Sequence, residues 1–444
     1  MMRFSVFSHM ISWYAERTPD APALRYDDRG IQTVSFSELE RAVEARAQEL
    51  RKGGKTCLGV LADGSYDCVL TIFAAVRAGM QLVLLDENTP EETLQILLPY
   101  TDVDMLWGDA DLCDSLAPCL GTGVTDGKDK ILFFTSGTTE RAKAVVLTQQ
   151  SLCASAYNGG AMLPLSPNDV LLCLLPLGHV FGFVCGLLWG LSCGACVALG
   201  RGARHYMDDC AYFRPTAVSV VPLLLGFLLK QKLFNKELKL VLVGAGDCPQ
   251  SLLAAAAAAG LRVSFGYGLT ETSSGVAISV RGDPHAMEIC PDDTITLAPD
   301  GEILITAPTC MMQGYYKRPA DTDAVLRDGV LHTGDLGRFD ENGCLHITGR
   351  KKDILVLGDG TKLYLPECEQ ELSALLDNPE LALKLSGGRI CLVLFGEERD
   401  DEAIWQAIAP YQRAHARGQQ IGAIARRDMP LPRTATGKLK RWEL

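Results

Sequence analysis

The sequence predicts an α/β protein: a large N-terminal domain of layered, mostly parallel sheets with helices, a small β-rich subdomain, and a small α+β domain at the C-terminus. Three observations carry that prediction. Apolar runs of strand length alternate with helical patterns from Cys57 to Trp107, and strand, helix and strand in that order make a parallel sheet. Glycine- and hydroxyl-rich loops follow several buried runs, at strand ends where such sheets place their ligands. From about Gly282 the pattern changes to short strands and turn dipeptides, and the charge and glycine density of Gly349 to Leu372 marks a boundary. The expected domains are residues 1–349 and 350–444, with the β-rich subdomain at about 282–349.

Composition bounds the rest. A length of 444 residues exceeds one ordinary core and suggests two or three units. The net charge of −12, with no long Lys/Arg run, excludes nucleic acid held by counterion release but leaves room for a small anion bound locally. The 16 cysteines lack framework spacing and many lie in apolar runs, as reduced thiols of a cytoplasmic protein do. Cys193 and Cys196 form a CxxC without a second pair or His cluster at zinc spacing, so packing explains them. No signal peptide is visible. The uncharged run Val170 to Leu199 carries Pro176, His179 and five glycines, which suits a buried strand, loop and helix and not a transmembrane segment. Nothing in the sequence sets an oligomeric state.

Taken in order, Ser37 and Glu40 form a capping box for a helix with apolar positions Leu39, Val43, Ala47 and Leu50, ended by Gly53 and Gly54. Cys57 to Ala62 reads as a strand, about Asp67 to Arg77 as a helix stopped by Gly79, and Gln81 to Leu85 as the next strand. Asn88, Thr89 and Pro90 open a helix through Leu98, and Val103 to Trp107 is a further strand; residues 109–129 have little pattern. In LFFTSGTTERAK, Leu132 to Lys143, a strand end meets Thr135, Ser136, Gly137, Thr138 and Thr139. Small side chains there let backbone N–H groups approach anionic oxygens, and Lys143 adds a charge. It is not a Walker loop, since Ala142 and Ala144 flank the lysine. Taken alone, a polar turn and a phosphate site fit equally. Ser151 begins a helix, and Leu171 to Pro176 is a strand leading into PLGHVFG, where His179 has a structural or a functional role. Ala217 to Val221 and Leu240 to Val243 are buried strands, the second ending in GAGDCP at Gly244 to Pro249; the six alanines Ala254 to Ala259 are a tightly packed helix. GYGLTETSSG then sets Tyr267 beside glycine, suiting stacking on a flat ring, and Glu271 near the phosphate loop, suiting Mg²⁺. Strands at Glu302 to Thr306 and Gly343 to Thr348 flank HTGD, and the tail LPRTATGKLKRWEL carries Gly437 and Lys438, or is simply a solvated basic tail.

Together and in this order, TSGTTxxxK, PLGHxxG, GYGLTET, the GE turn at Gly301, HTGD, GRKKD and LPRTATGK, with ERTPDAPAL at Glu16 to Leu24, resemble the adenylate-forming superfamily of acyl-CoA synthetases, adenylation domains and firefly luciferase. The resemblance covers essentially the whole chain. It implies an enzyme that makes an acyl-adenylate from a carboxylic acid and ATP with Mg²⁺, then transfers the acyl group to the thiol of CoA or of a carrier-protein phosphopantetheine. By matching motif, Thr135 to Lys143 would hold the β- and γ-phosphates. Tyr267 would stack on adenine beside Gly244, Ala245 and Gly246, with Gly268 and Thr270 of the same motif against the nucleotide. Glu271 would ligate Mg²⁺, and Asp335 and Arg350 would take the ribose hydroxyls. Lys438 would be the catalytic lysine of a mobile small domain that pivots at Lys352 and Asp353, with Gly358 to Thr361 lining the thiol tunnel. His179, in place of the Asp of amino-acid-activating members, resembles the acyl- and aryl-CoA synthetases, where it lies near the carboxylate. Phe181, Phe183, Val184, Leu187, Leu188 and Trp189 suggest an apolar acyl pocket or plain core, and the expectation is a medium or long fatty acid ahead of an aromatic one. The chain departs from the family at Glu140 and Ala142 and is shorter than usual, which keeps open a nucleotide-binding homologue with impaired catalysis.

Overall fold

The computed structural model describes residues 2–125, 129–135, 143–246, 248–356, 362–433 and 439–444. Among the described residues two sheets dominate. In a six-stranded sheet, Cys57–Ala62, Gln81–Asp86, Met105–Trp107 and Ile131–Phe134 run parallel, and Ala144–Leu147 and Gly314–Tyr315 add antiparallel strands at one edge. In a nine-stranded sheet, Pro22–Asp27, Val170–Cys173, Cys196–Leu199, Ala217–Val220, Leu240–Val243 and Val263–Leu269 form the parallel centre, with antiparallel strands outside it. Helices cover both faces of a parallel sheet, so its strands are buried throughout, as Leu240–Val243 and Cys57–Ala62 are. A separate antiparallel sheet contains Glu302–Thr306, Val330–Phe339 and Leu345–Arg350. The smaller C-terminal region has its own core, in which Leu372 and Leu376 of helix Leu365–Leu376 meet Leu392 and Tyr411. No helix of the described residues is long and apolar enough to cross a membrane.

Local chemistry shifts several expected boundaries. The first capping box is Ser35 with Glu38, two residues before the expected Ser37 and Glu40, and it opens helix Phe36–Lys52. Both pairs fit S-x-x-E. Choosing Ser35 puts Phe36 in the helix, fully buried with its ring 4.9 Å from that of Tyr14, and frees Glu40 to pair with Arg77 at 2.8 Å. Ser151 does not begin its helix: Thr148 caps Gln149–Met162, and Ser151 is the reciprocal member of that box. Within residues 109–129, Asp109 accepts from the Leu112 N–H and starts a short helix, Ala110–Leu116. The run after PLGHVFG is helical through Ser192, as a buried strand, loop and helix require, and passes through one π-helical segment at Val184–Leu188.

Candidate active site

The candidate nucleotide side is built from strand ends. Leu240–Val243 and Val263–Leu269 lie side by side with Val243 opposite Phe265, so the Gly244 to Gly246 turn emerges next to the GYG segment. Gly244 is held between Gly266 and the ring of Phe181, where a Cβ would come within 2.9 Å of Phe181 Cζ. Ala245 takes a left-handed backbone, φ +62°, which costs a non-glycine residue about 1 kcal/mol or more. Gly268 faces the Ser274 carbonyl so closely that any side chain would overlap it.

Tyr267 donates its hydroxyl to Asp335 Oδ2 at 2.9 Å, and Arg350 Nε meets Asp335 Oδ1 at 2.8 Å. Asp335 and Arg350 are direct cross-strand partners, which is why two motifs fifteen residues apart in sequence reach one point. Burial pushes the Asp335 carboxyl up from its ordinary value, and Arg350 and Tyr267 pull it back. The Gly-Glu turn has a clear structural part here. Glu302 accepts from the Gly334 N–H at 2.9 Å and from Lys351 Nζ at 2.7 Å, pinning the residues next to Asp335 and Arg350. Burial raises the Glu302 carboxyl, but Lys351 and the Gly334 amide outweigh it and leave it below the usual carboxylate range.

Thr135 and Lys143 bracket the loop after Phe134, and the Thr135 N–H donates to the Lys143 carbonyl at 3.0 Å. The strands that precede and follow it pair antiparallel, Phe134 opposite Ala144. Ser136, Gly137, Thr138, Thr139, Glu140, Ala142, Gly358 to Thr361 and Lys438 lie outside the described residues. The Lys143 ammonium sits 4.6 Å from the centre of the Tyr315 ring and 3.4 Å from Asp321. Tyr315 in turn donates to Glu271 Oε1 at 2.7 Å, so one tyrosine joins the loop's lysine to the candidate metal carboxylate. Thr270 and Glu271 share a short 3-10 turn whose Glu271 carbonyl accepts from the Met312 N–H at 2.8 Å. No cluster of three or more His, Cys, Asp or Glu side chains forms a metal cage among the described residues. A lone carboxylate fits Mg²⁺, which keeps waters and takes phosphate oxygens alongside one or two protein ligands.

His179 precedes the helical run, and its Nε2 lies 3.2 Å from Asp86 Oδ2 at the end of strand Gln81–Asp86. Gly178 permits this approach, because a Cβ there would be 2.7 Å from the Asp86 nitrogen. The His179 hydrogen bond, with the Asn88 amide, holds the Asp86 carboxyl down at about 2. Motif reading missed both Asp86 and Tyr315. Asp86 had a signal, an acidic residue closing an apolar strand at the ligand-bearing edge of a parallel sheet. Tyr315 had none, since its partner Glu271 is 44 residues away.

The model of the AMP-binding enzyme family matches residues 11–316. Indoleacetate–CoA ligase of Aromatoleum aromaticum is 27% identical over 98% of this chain and 96% of its own. A 2-succinylbenzoate–CoA ligase of Bacillus cereus is 28% identical over 84% of each chain. Among solved structures, O-succinylbenzoate coenzyme A synthetase of Bacillus subtilis in complex with AMP superposes with a TM-score of 0.85 at 23% identity, over 98% of both chains. The anthranilate CoA ligase bound to anthranoyl-AMP also gives 0.85, at 19% identity, over 100% of this chain and 97% of that one. These structures share its α/β fold, with a large N-terminal and a smaller C-terminal domain. With the family model covering more than half of its length, the chain belongs to the AMP-binding enzyme family.

Proposed function

We propose that this enzyme activates a carboxylic acid with ATP and passes the acyl group to CoA. The observation that carries the reading is the Tyr267–Asp335–Arg350 cluster set beside the Glu271–Tyr315–Lys143 chain, one suited to a nucleoside and the other to its phosphates. A carboxylate oxygen attacks the α-phosphorus and pyrophosphate leaves; the CoA sulfur then attacks the acyl carbon and AMP leaves. The first step needs no general base, because the acid is already ionised near neutral pH. Asp335 and Arg350 take the ribose hydroxyls, Tyr267 the adenine face, and Lys143 the phosphates. Glu271 would hold Mg²⁺, which when bound neutralises phosphate charge. His179, fixed by Asp86, faces the acid's carboxylate.

Lys438 is assigned as the lysine that stabilises charge at the α-phosphate, on a domain of residues 350–444 pivoting at Lys352 and Asp353. Arg441 supports that division: it binds Asp353 at 2.9 Å and Glu369 at 2.6 and 2.8 Å, tying the tail beside Lys438 to the pivot. The relatives' names favour CoA over a carrier protein, and the buried free thiols suit a cytoplasmic enzyme. The same names favour a ring-bearing acid over the fatty acid expected from the run after His179. Phe183, Val184, Leu187, Leu188 and Trp189 are all at most 2% exposed, which suits core more than a long acyl channel.

ATP–pyrophosphate exchange over a panel of aryl and fatty acids, with CoA and a carrier protein then compared as acceptors, tests this. Exchange with at least one acid, lost in Lys438→Ala, is the expected result. No exchange with any acid would leave a nucleotide-binding homologue without catalysis.

A further inference from the structure

Helix Gln149–Met162 and the π-helical segment Val184–Leu188 enclose a cavity of about 20 Å³ together with Leu242 and strand Ser274–Ile278. Its position relates it to the acid side of the site. Gly275 lies opposite Gly268 of the GYG motif, and Phe181, which covers Gly244, packs against the same apolar cluster as Trp189, Leu242 and Ile278. The walls are mostly apolar, and most polar groups in them are engaged. Trp189 Nε1 donates to the Leu163 carbonyl at 3.1 Å, and Cys185 Sγ lies 3.4 Å from the Ser274 hydroxyl.

Ser155 is the exception. It lines the cavity, is 3% exposed, and its hydroxyl meets no hydrogen-bond partner among the described residues. A helical serine commonly turns its hydroxyl back onto the preceding turn, and a buried one without any partner is destabilising and rare. A cavity of about 20 Å³ holds one water-sized group, so whatever satisfies Ser155 there is a single polar atom.

We propose that this cavity receives the far end of the acid and that Ser155 hydrogen-bonds it, so that the substrate is a compact aryl or arylacetic acid carrying a hydroxyl, amino or carbonyl group at the end remote from its carboxylate. The inference rests on the acid-activating function proposed above. A pocket that pairs a buried hydroxyl with a substrate group discriminates against the apolar isostere far more strongly than an apolar pocket counts methylenes. Gly159 sets the depth, since a Cβ there would reach the Trp189 ring at 3.9 Å.

The test is ATP–pyrophosphate exchange with phenylacetate, 4-hydroxyphenylacetate, 4-methylphenylacetate and decanoate, for the natural enzyme, Ser155→Ala and Gly159→Ala. The natural enzyme should prefer the hydroxylated acid over its methyl isostere by more than about tenfold in kcat/KM, and Ser155→Ala should bring that ratio close to one. Gly159→Ala should depress both para-substituted acids relative to phenylacetate. Ser155→Ala removes only an unpaired hydroxyl, so its melting temperature should equal or exceed that of the natural enzyme. A ratio unchanged by Ser155→Ala would mean that a buried water satisfies the hydroxyl and would overturn the proposal, as would decanoate being the best of the four. Exchange with other acids but none of these four overturns this inference alone; exchange with no acid at all overturns the function on which it rests.

Discussion

On the proposed nucleotide side, Tyr267, Asp335 and Arg350 hold one another through contacts of 2.8–2.9 Å, and Glu302 pins residues next to Asp335 and Arg350. Around the proposed acid pocket, Ser155 of its wall, Asn158 one turn further along the same helix, and Asp293 bonded to Asn158 are buried, and each has a side-chain atom that meets no partner among the described residues. A closed polar network is rigid and suits a ligand that never changes; open polar atoms leave the identity of the ligand to be completed by the ligand itself. The two sides therefore predict different responses to substitution. Changes on the nucleotide side should act alike on every acid, and changes on the acid side should act selectively or on stability.

The strongest test of the first half is Glu271→Gln. It keeps a hydrogen-bond acceptor for Tyr315 but removes the charge that would face the metal, and exchange should fall by about 10²–10³-fold in kcat with every acid tried. A loss that varies with the acid would break the contrast. Arg350→Ala comes next. It leaves Asp335 buried beside Tyr267 without its cation, and the KM for ATP should rise about 10–100-fold, the worth of a charge-assisted hydrogen bond, again independently of the acid.

Asp293, bonded to the helix that carries Ser155, offers a stability test. It accepts from Asn158 at 3.3 Å, and burial, with Asp292 beside it, pushes its carboxyl up to about 7. In the unfolded chain the same group ionises near its ordinary 3.8. Between those values the folded state holds the proton more tightly, so the stability from this group, full at acid pH, declines as pH rises from about 4 to about 7. Asp293→Asn, which cannot ionise, should remove that slope and gain about 1–2 kcal/mol over the natural enzyme at pH 8 once relaxation and water entry are allowed for. Denaturant unfolding at pH 5 and pH 8 measures it. An equal difference at both pH values would show that Asp293 is ionised throughout.

The same contrast explains what the sequence discloses. Tyr267, Glu271, Asp335 and Arg350 sit in short motifs because strand ends and one cross-strand pair deliver them, so local spacing is preserved in the fold. The parallel sheets were legible for the same reason, through runs such as Leu240–Val243 whose expected and observed limits coincide. Helix starts were less so: Ser35 and Ser37 both fit the capping pattern, and only the burial of Phe36 decides between them. On the acid side the sequence shows a stripe of apolar residues after His179, whereas the polar group of the proposed pocket, Ser155, comes from helix Gln149–Met162, on a separate element earlier in the chain. No periodicity marks a serine that lacks a partner, since the deficiency exists only after packing.

Asp86, the partner of His179, has the smallest expected effect. His179 and the Asn88 amide hold its carboxyl at about 2, so it contributes stability above its unfolded value of 3.8 that is lost as pH falls toward 2. Asp86→Asn should cost about 1 kcal/mol near pH 7, discounted for partial solvent screening, and the gap to the natural enzyme should narrow between pH 6 and pH 3. Its effect on turnover discriminates further, because Asn keeps an acceptor for His179 Nε2 but not a charge. A fall of a few-fold in kcat/KM shared by all acids would place the His179–Asp86 pair with the common adenylation chemistry. A fall confined to some acids would place it with the pocket beyond Phe181, and the boundary between the two sides would then run through Asp86 itself.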